Sequence, residues 1–197
     1  MKPVIVFATA NENKANEVRE ILKDLYDVKS LVDIGCSEDI PETTNTLEGN
    51  AKQKATYVKE KYGYDCFADD TGLEVDALNG APGVFTARYG GPDKDAQQNI
   101  NHLMNQVEKA AAFSAAQRSA RFRTAIHLIL NCKEVTFEGA CKGHIALEQS
   151  GTEGFGYDPI FIPEGEDKTF SEMSSEEKNS MSHRGRAIRS MLEYLGV

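Results

Sequence analysis

Two carboxylates stand side by side at Asp69-Asp70, directly after the short apolar run of residues 66–68, and Thr71-Gly72-Leu73 follows them. Read as a buried strand closing on two acids, this is where α/β sheets commonly hold ligands. Adjacent residues of an extended strand point to opposite faces, so the two acids would do different jobs. Mg²⁺ typically takes one or two carboxylates and fills its shell with phosphate oxygens and water. One of these acids can therefore hold a metal or orient a water. A solvated acidic turn, which Gly72 fits, is the plainer alternative.

Four other segments could share that chemistry. Thr9-Ala10-Asn11-Glu12-Asn13-Lys14 follows the first apolar run. A helix starting there points backbone N–H groups at the strand end, which makes an anion site, and Lys14 adds a charge in the first turn. The same residues also describe a polar helix cap, and the glycines of a Walker A loop are missing. Glu42 is a candidate second metal ligand. Asn50 and Lys54, four apart, share a helix face, which makes Lys54 a candidate phosphate contact or an ordinary surface lysine. In Gly154-Phe155-Gly156-Tyr157-Asp158-Pro159 the glycines and proline dictate a backbone path. An aromatic held there can stack on a nucleobase and Asp158 can accept from it, or the segment is a tight turn with a core aromatic. Lys178-Asn179 and Ser182-His183-Arg184 complete the set, with an arginine whose planar fork can read a keto oxygen. His102, His127 and His144 read as structural.

The elements that must position these groups alternate short apolar runs with helical periodicity, which points to an α/β fold. Residues 2–8 read as a buried strand, because the run is continuous. A helix is expected over residues 13–25, with Ala15, Val18, Ile21, Leu22 and Leu25 on one face, then a strand near residues 28–32. A second helix is expected over residues 46–62, capped by Thr46. A third follows over residues 95–112, capped by Asp95, with Ile100, Leu103, Met104, Val107 and Ala111 on one face. Strands are expected over residues 119–130, 134–141 and 143–148, giving a mixed sheet. A last helix follows over residues 182–195, with Ser182 as its cap. Residues 80–89, with Gly80-Ala81-Pro82-Gly83 and Arg88-Tyr89, read as a rigid turn.

Composition narrows the reading. The 197 residues suffice for one sizeable domain or one domain with two lobes. Twenty-two basic against 31 acidic residues leave a net charge of −9, which argues against broad nucleic-acid or anionic-membrane binding. A polyanion would need a local basic cluster, a divalent metal or both. No apolar run is long enough to span a membrane, and no signal peptide is read, so a cytoplasmic protein is expected. Cys36, Cys66, Cys132 and Cys141 lack metal-ligand spacing and read as buried reduced thiols.

Taken in order, these segments resemble the family of house-cleaning inosine and xanthosine triphosphate pyrophosphatases, the Ham1-like proteins, over essentially the whole chain. The resemblance rests on Ala8-Thr9-Ala10-Asn11-Glu12-Asn13-Lys14, Ala68-Asp69-Asp70-Thr71-Gly72-Leu73, Gly80-Ala81-Pro82-Gly83, Ala87-Arg88-Tyr89, Ala120-Arg121-Phe122, Gly154-Phe155-Gly156-Tyr157-Asp158-Pro159, Lys178-Asn179 and Ser182-His183-Arg184. It implies an elongated two-lobed α/β fold, with a long twisted mixed sheet flanked by helices and a substrate cleft between the lobes. It also implies a homodimer. The implied reaction is NTP + H₂O → NMP + pyrophosphate on noncanonical purine nucleotides (ITP, dITP, XTP), keeping them out of nucleic acids.

By matched position, Thr9, Ala10, Asn11, Glu12, Asn13 and Lys14 would bind the triphosphate, with Lys54 nearby. Glu42 and Asp70 would hold Mg²⁺, and Asp70 would be the proton acceptor. Thr71 would touch the substrate. Phe155 would stack on the base within the Gly156-Tyr157 turn, Asp158 and Lys178 would fix it, and His183 and Arg184 would read its 6-keto edge. Asp69 is left a supporting role near the metal. Three departures from the family pattern stand out. Thr71 is more often serine. Thr44-Asn45-Thr46-Leu47-Glu48-Gly49 replaces a commoner glycine-x-threonine-phenylalanine-glutamate-glutamate run. Residues 110–117 make a longer, alanine-rich loop. Maf-like pyrophosphatases and a catalytically silent nucleotide sensor are the alternatives. A sensor has no use for a water-activating carboxylate, and a kinase or phosphate-releasing NTPase is disfavoured by the missing P-loop.

Overall fold

The computed structural model describes residues 2–110 and 114–196. Ala111, expected on the third helix, and residues 111–113 of the expected alanine-rich loop lie outside them. The described elements are β1 (Val4–Phe7), α1 (Glu12–Leu22), β2 (Asp27–Lys29), α2 (Leu47–Tyr62), β3 (Cys66–Val75), β4 (Pro82–Gly83), α3 (Ala96–Lys109), β5 (Ser119–Leu130), β6 (Lys133–Ile145), β7 (Phe161–Pro163), α4 (Ser175–Met181) and α5 (His183–Leu195), with short 3₁₀ turns between them. The strands follow the order β2-β1-β3-β5-β6-β7, and β4 pairs with β3. β1 runs parallel to β2 and β3, while β3–β4 and β6–β7 are antiparallel, so the sheet is mixed. The chain divides into two compact units: residues 1–70, 124–139 and 185–197, and residues 71–123 and 140–184.

In the first unit, strand alternation sorts the side chains onto two faces. Ile5, Phe7, Phe67, Ile126 and Leu128 pack with Val18 and Leu22 of α1 and Ala187, Ile188 and Met191 of α5. Val6, Ala8, Cys66, Ala68 and Ile129 pack with Ala55 and Val58 of α2. The result is a helix–sheet–helix sandwich. Phe7 and Phe67 are fully buried, with rings stacked at 4.8 Å. Each such side chain is worth about 1.5–3 kcal/mol of burial. Parity then decides the site. Asp69 shares the face of Phe67 and so meets α1; Asp70 shares the face of Cys66 and Ala68 and so meets α2.

The second unit has one core. Leu73, Val75, Ala120, Phe122, Cys141, Ile145 and Phe161 of the strands enclose Ile100, Leu103 and Val107 of α3, together with Tyr157, Ile160, Phe170 and Met173. Asp95 caps α3 by accepting from the Gln98 N–H, as expected from sequence.

Four expectations change. The strand expected to close at Asp69-Asp70 continues to Val75, because Leu73 and Glu74 pair with Gly83 and Pro82; the acids lie inside the strand. The two strands expected over residues 134–148 are one, β6, which Gly143, His144 and Ile145 extend by pairing with β7. The first helix ends at Leu22, where the Leu22 carbonyl accepts from Leu25 and Tyr26. That turn lets Asp27 bond back to Pro3 beside β1. Finally, three cysteines are buried but Cys132 is exposed, in the two-residue turn between β5 and β6. No helix among the described residues is long and apolar enough to cross a membrane.

Candidate active site

The residues singled out by sequence fall into two groups, one in each unit. In the first unit the Thr9–Lys14 turn begins α1. Asn11 is the N-cap: its Oδ1 accepts from the backbone N–H of Asn13 at 3.0 Å and of Lys14 at 3.2 Å. Thr9 Oγ1 accepts from the Asn11 N–H. Two of the N–H groups expected to face an anion are therefore engaged by the cap. Ala10 and Asn13 are exposed. Glu12 receives Arg19 Nη1 at 2.9 Å, and that bond holds its carboxyl below the usual glutamate range. Lys14 Nζ donates to Asp69 Oδ1 at 3.1 Å. Asp69 thus gains a definite place: it holds the lysine of the N-terminal turn.

Asp70 turns the other way, to α2. Asn50 Nδ2 donates to its Oδ2 at 2.9 Å, and Lys54 Nζ lies 3.7 Å from its Oδ1. The same ammonium stands 2.5 Å from Glu42 Oε1. Burial pulls the Lys54 pKa down, but Asp70, Glu42 and Asp69 outweigh it and the net direction is up. For Asp70 burial wins and its carboxyl rises, against the opposing pull of Lys54, Lys14 and Asn50. Three carboxylates here face two lysines, so an anionic ligand cannot be held on the lysines alone.

The segment that brings Glu42 in is fastened antiparallel along α2. Glu38 Oε1 accepts from Tyr57 at 3.0 Å, from Tyr62 at 2.7 Å and from Lys61. Thr43 N–H donates to Gln53 at 2.9 Å, Glu42 pairs with Lys54, and Thr44 bonds to Asn50. Thr46 then caps the helix by accepting from the Gly49 N–H.

In the second unit Asp158 is the organiser. Its Oδ2 accepts from the Phe155 N–H at 2.8 Å and from Lys178 Nζ at 2.7 Å, both charges being buried. The turn requires glycine before Phe155: Gly154 has φ +77° and a Cβ there would strike the Asp158 carboxylate. Lys178 Nζ lies 4.8 Å from the centre of the half-buried Phe155 ring and Arg184 Cζ 5.7 Å from it. Arg184 Nη2 reaches Thr71 Oγ1 at 3.4 Å. Phe155, Asp158, Lys178, Arg184 and Thr71 therefore form one connected group. Gly156, at φ +61°, shapes the turn. Tyr157 is a core residue whose hydroxyl donates to the Thr86 carbonyl. His183 is buried, its ring stacked on Phe122 at 4.6 Å.

Two participants had no role assigned from the sequence, although Asn50 was placed on one helix face with Lys54. Asn50 carried a signal: it is a polar residue within the buried stripe of Leu47, Ala51, Ala55 and Val58. Thr44 carried none beyond its departure from the family run. His127 is structural, as expected, with Nδ1 2.8 Å from Thr136 Oγ1.

A cation fits the first group. No cluster of three or more His, Cys, Asp or Glu suited to a metal exists among the described residues; Glu42 and Asp70 are the pair of carboxylates that converge on Lys54. Both already face one cation, the Lys54 ammonium, and both supply hard carboxylate oxygens. Two carboxylates, with phosphate oxygens and water completing the shell, would suit Mg²⁺, whereas a Ca²⁺ cage takes six to eight oxygens.

Fold and site together define a mixed α/β protein that sends neighbouring acids of one strand to helices on opposite faces. A Ham1-family profile matches residues 5–194, and the chain belongs to the Ham1 family. It is 52% identical over 191 residues to a dITP/XTP pyrophosphatase of Flavobacterium johnsoniae, with 97% of each chain covered. It is 45% identical over 197 residues to the dITP/XTP pyrophosphatase of Bacillus subtilis, covering 99% of this chain and 98% of that one. The structure of a HAM1 protein from Coxiella burnetii matches with a TM-score of 0.87 at 36% identity, 98% of each chain being covered.

Proposed function

We propose that this protein hydrolyses noncanonical purine nucleoside triphosphates, dITP, ITP and XTP, to the monophosphate and pyrophosphate. The observation that carries the reading is the convergence of Glu42 and Asp70 on Lys54, in a chain whose relatives are named for this activity. Glu42 and Asp70 would hold Mg²⁺. Held by these two carboxylates, Mg²⁺ would supply Lewis-acid withdrawal of charge from the phosphate oxygens. Asp70 would accept the proton of a water whose oxygen attacks the α-phosphorus. The bond from that phosphorus to the bridging oxygen breaks, and pyrophosphate leaves with the electron pair. Lys54 and Lys14, the latter set by Asp69, would stabilise that charge. Thr9, Ala10, Asn11, Glu12 and Asn13 would line the triphosphate.

The base falls to the second group. Phe155 would stack on it, Asp158 and Lys178 would fix the Phe155-Gly156-Tyr157 turn beneath it, and Thr71 would touch the substrate. Arg184, next to His183, would donate to the 6-keto oxygen of hypoxanthine or xanthine. An adenine amino group would leave that donor unpaired, which is an effective means of rejection. A cytoplasmic homodimer is the form in which we expect the enzyme to act.

The test is product analysis with ITP, dITP, XTP, GTP and ATP in the presence of Mg²⁺. Pyrophosphate released preferentially from ITP, dITP and XTP is expected; orthophosphate, or equal turnover of all five, refutes the reading. Asp70→Asn should lower kcat by orders of magnitude in a folded protein, and near-normal turnover would remove Asp70 from its role.

A further inference from the structure

Asp70 is held on one side by an amide whose orientation is itself fixed. Asn50 is 2% exposed on the first turns of α2. Its Oδ1 lies 3.0 Å from the backbone N of Thr44 and 2.8 Å from Thr44 Oγ1, while its Nδ2 lies 2.9 Å from Asp70 Oδ2. Flipping the amide would set its NH₂ against the Thr44 N–H and its carbonyl against a carboxylate. Both ends forbid that, so the assignment of oxygen and nitrogen is determined by the partners. Oδ2 of Asp70 is thereby committed as an acceptor, and Oδ1 is the oxygen on the Lys54 side.

The space for this contact is made by Gly49. A Cβ there would sit 2.5 Å from Thr44 Oγ1 and 2.9 Å from both Thr44 Cβ and Thr46 Oγ1. A side chain at position 49 and a hydroxyl at position 44 thus compete for one volume.

We propose that Thr44 and Asn50 form a positioning relay. Thr44, on the segment that delivers Glu42, locks the Asn50 amide, and Asn50 fixes the rotation of the Asp70 carboxylate, so that one oxygen is anchored and the other serves water and cation. Gly49, which has no side chain, leaves the space that the Thr44 side chain fills. The relay orients Asp70 and touches no substrate, and it rests on the reading of Asp70 given above.

Two measurements test it, one of them independent of turnover. In ¹⁵N-labelled, Mg²⁺-free protein, the Asn50 side-chain amide should give a slowly exchanging proton pair that shifts in Thr44→Val and in Asp70→Asn. A pair that exchanges like a solvated amide, or that is unmoved in both variants, overturns the relay. In kinetics with ITP, Asn50→Ala should lower kcat by about 10–100-fold, the range seen when a ligand's supporting partner is removed, with KM little changed. Thr44→Val should lower kcat less, since the backbone N–H remains; Thr44→Ser should recover it, and Gly49→Ala should mimic Thr44→Val. Position 44 is only partly buried, so its variants keep the test informative if Asn50→Ala fails to fold. An undiminished kcat in Asn50→Ala overturns the relay while leaving the reaction standing. Full turnover in Asp70→Asn would sink the reading of Asp70 instead, and the amide spectrum tells the two failures apart because it reports the contact directly.

Discussion

Arg184 is 2% exposed, with its guanidinium between the Phe155 ring and the Thr71 hydroxyl. A buried charged donor has few ways to satisfy itself, so the identity of the group facing it matters. A hydrogen bond to a charged group is worth about 1.5–3 kcal/mol, or about ten- to a hundred-fold in relative specificity. Arg184→Ala should therefore reduce the ratio of kcat/KM for ITP over ATP by that factor, mainly by weakening ITP. An unchanged ratio would remove Arg184 from base reading. The acidic pair shows how much of such detail the sequence holds. Adjacent residues in a strand must part, and their partners follow from the parity of Phe67 and Ala68. What parity could not supply is Asn50 as the intermediary, because the amide's role depends on Thr44, six residues back on a segment with no regular structure.

At the scale of elements, two features are testable. The segment before α2 is strapped down by Glu38, whose carboxyl the Lys61 bond, then Tyr62 and Tyr57, lower from 4.5 to about 2. A depressed carboxylate stabilises the fold fully above its unfolded value and loses that contribution as pH falls through the folded one. The difference in urea midpoint between the native protein and Glu38→Gln should thus be constant above pH 4.5 and vanish toward pH 2. A difference that persists at pH 2 would show that the clamp acts by packing and not by charge. The β5–β6 hairpin closes through Asn131 and Cys132, at φ +49° and +61°. Both residues of such a two-residue turn need positive φ, which asparagine tolerates and cysteine does not. Cys132→Gly should stabilise the protein by about 1 kcal/mol, read as a rise in Tm; a fall would mean that the thiol makes a contact worth more than the backbone strain. Elements were legible where pattern is local. The α2 cap and stripe follow from Thr46 and its apolar spacing. β7 and the length of β6 did not, because they exist through pairing between residues 143–145 and 161–163. α4, only seven residues long, is too short for periodicity, though Ser174 and Glu177 form the capping box that marks its start.

For the molecule as a whole, a net charge of −9 would repel a triphosphate unless opposing charge is concentrated locally. On the proposed reading Lys14 and Lys54 would supply it, and they are already shared with Asp69, Asp70 and Glu42. Metal removal should therefore separate folding from function. The three hydrophobic clusters of the described residues are built of apolar side chains. EDTA should abolish turnover while the far-UV circular dichroism is unchanged, and added Mg²⁺ should restore activity. Turnover that survives exhaustive chelation would exclude the metal-assisted reading. The composition fixed that a counter-charge is needed; the sequence order alone could not show that one lysine stands between both carboxylates.

The alternation along β3 also governs which mutations a lineage can accept. Asp69 reaches α1 and Asp70 reaches α2 only because each sits at its own parity behind Phe67 and Ala68. Replacing a neighbour tests one contact. Inserting or deleting a single residue between Cys66 and Ala68 would rotate the pair by one step, handing Lys14 and Lys54 the wrong acids and turning the apolar faces inside out together. Changes of even length would spare the facing. This stretch should therefore keep its length fixed, with Cys66 and Ala68 open to exchange among small apolar residues and Phe67 held by its stacking on Phe7.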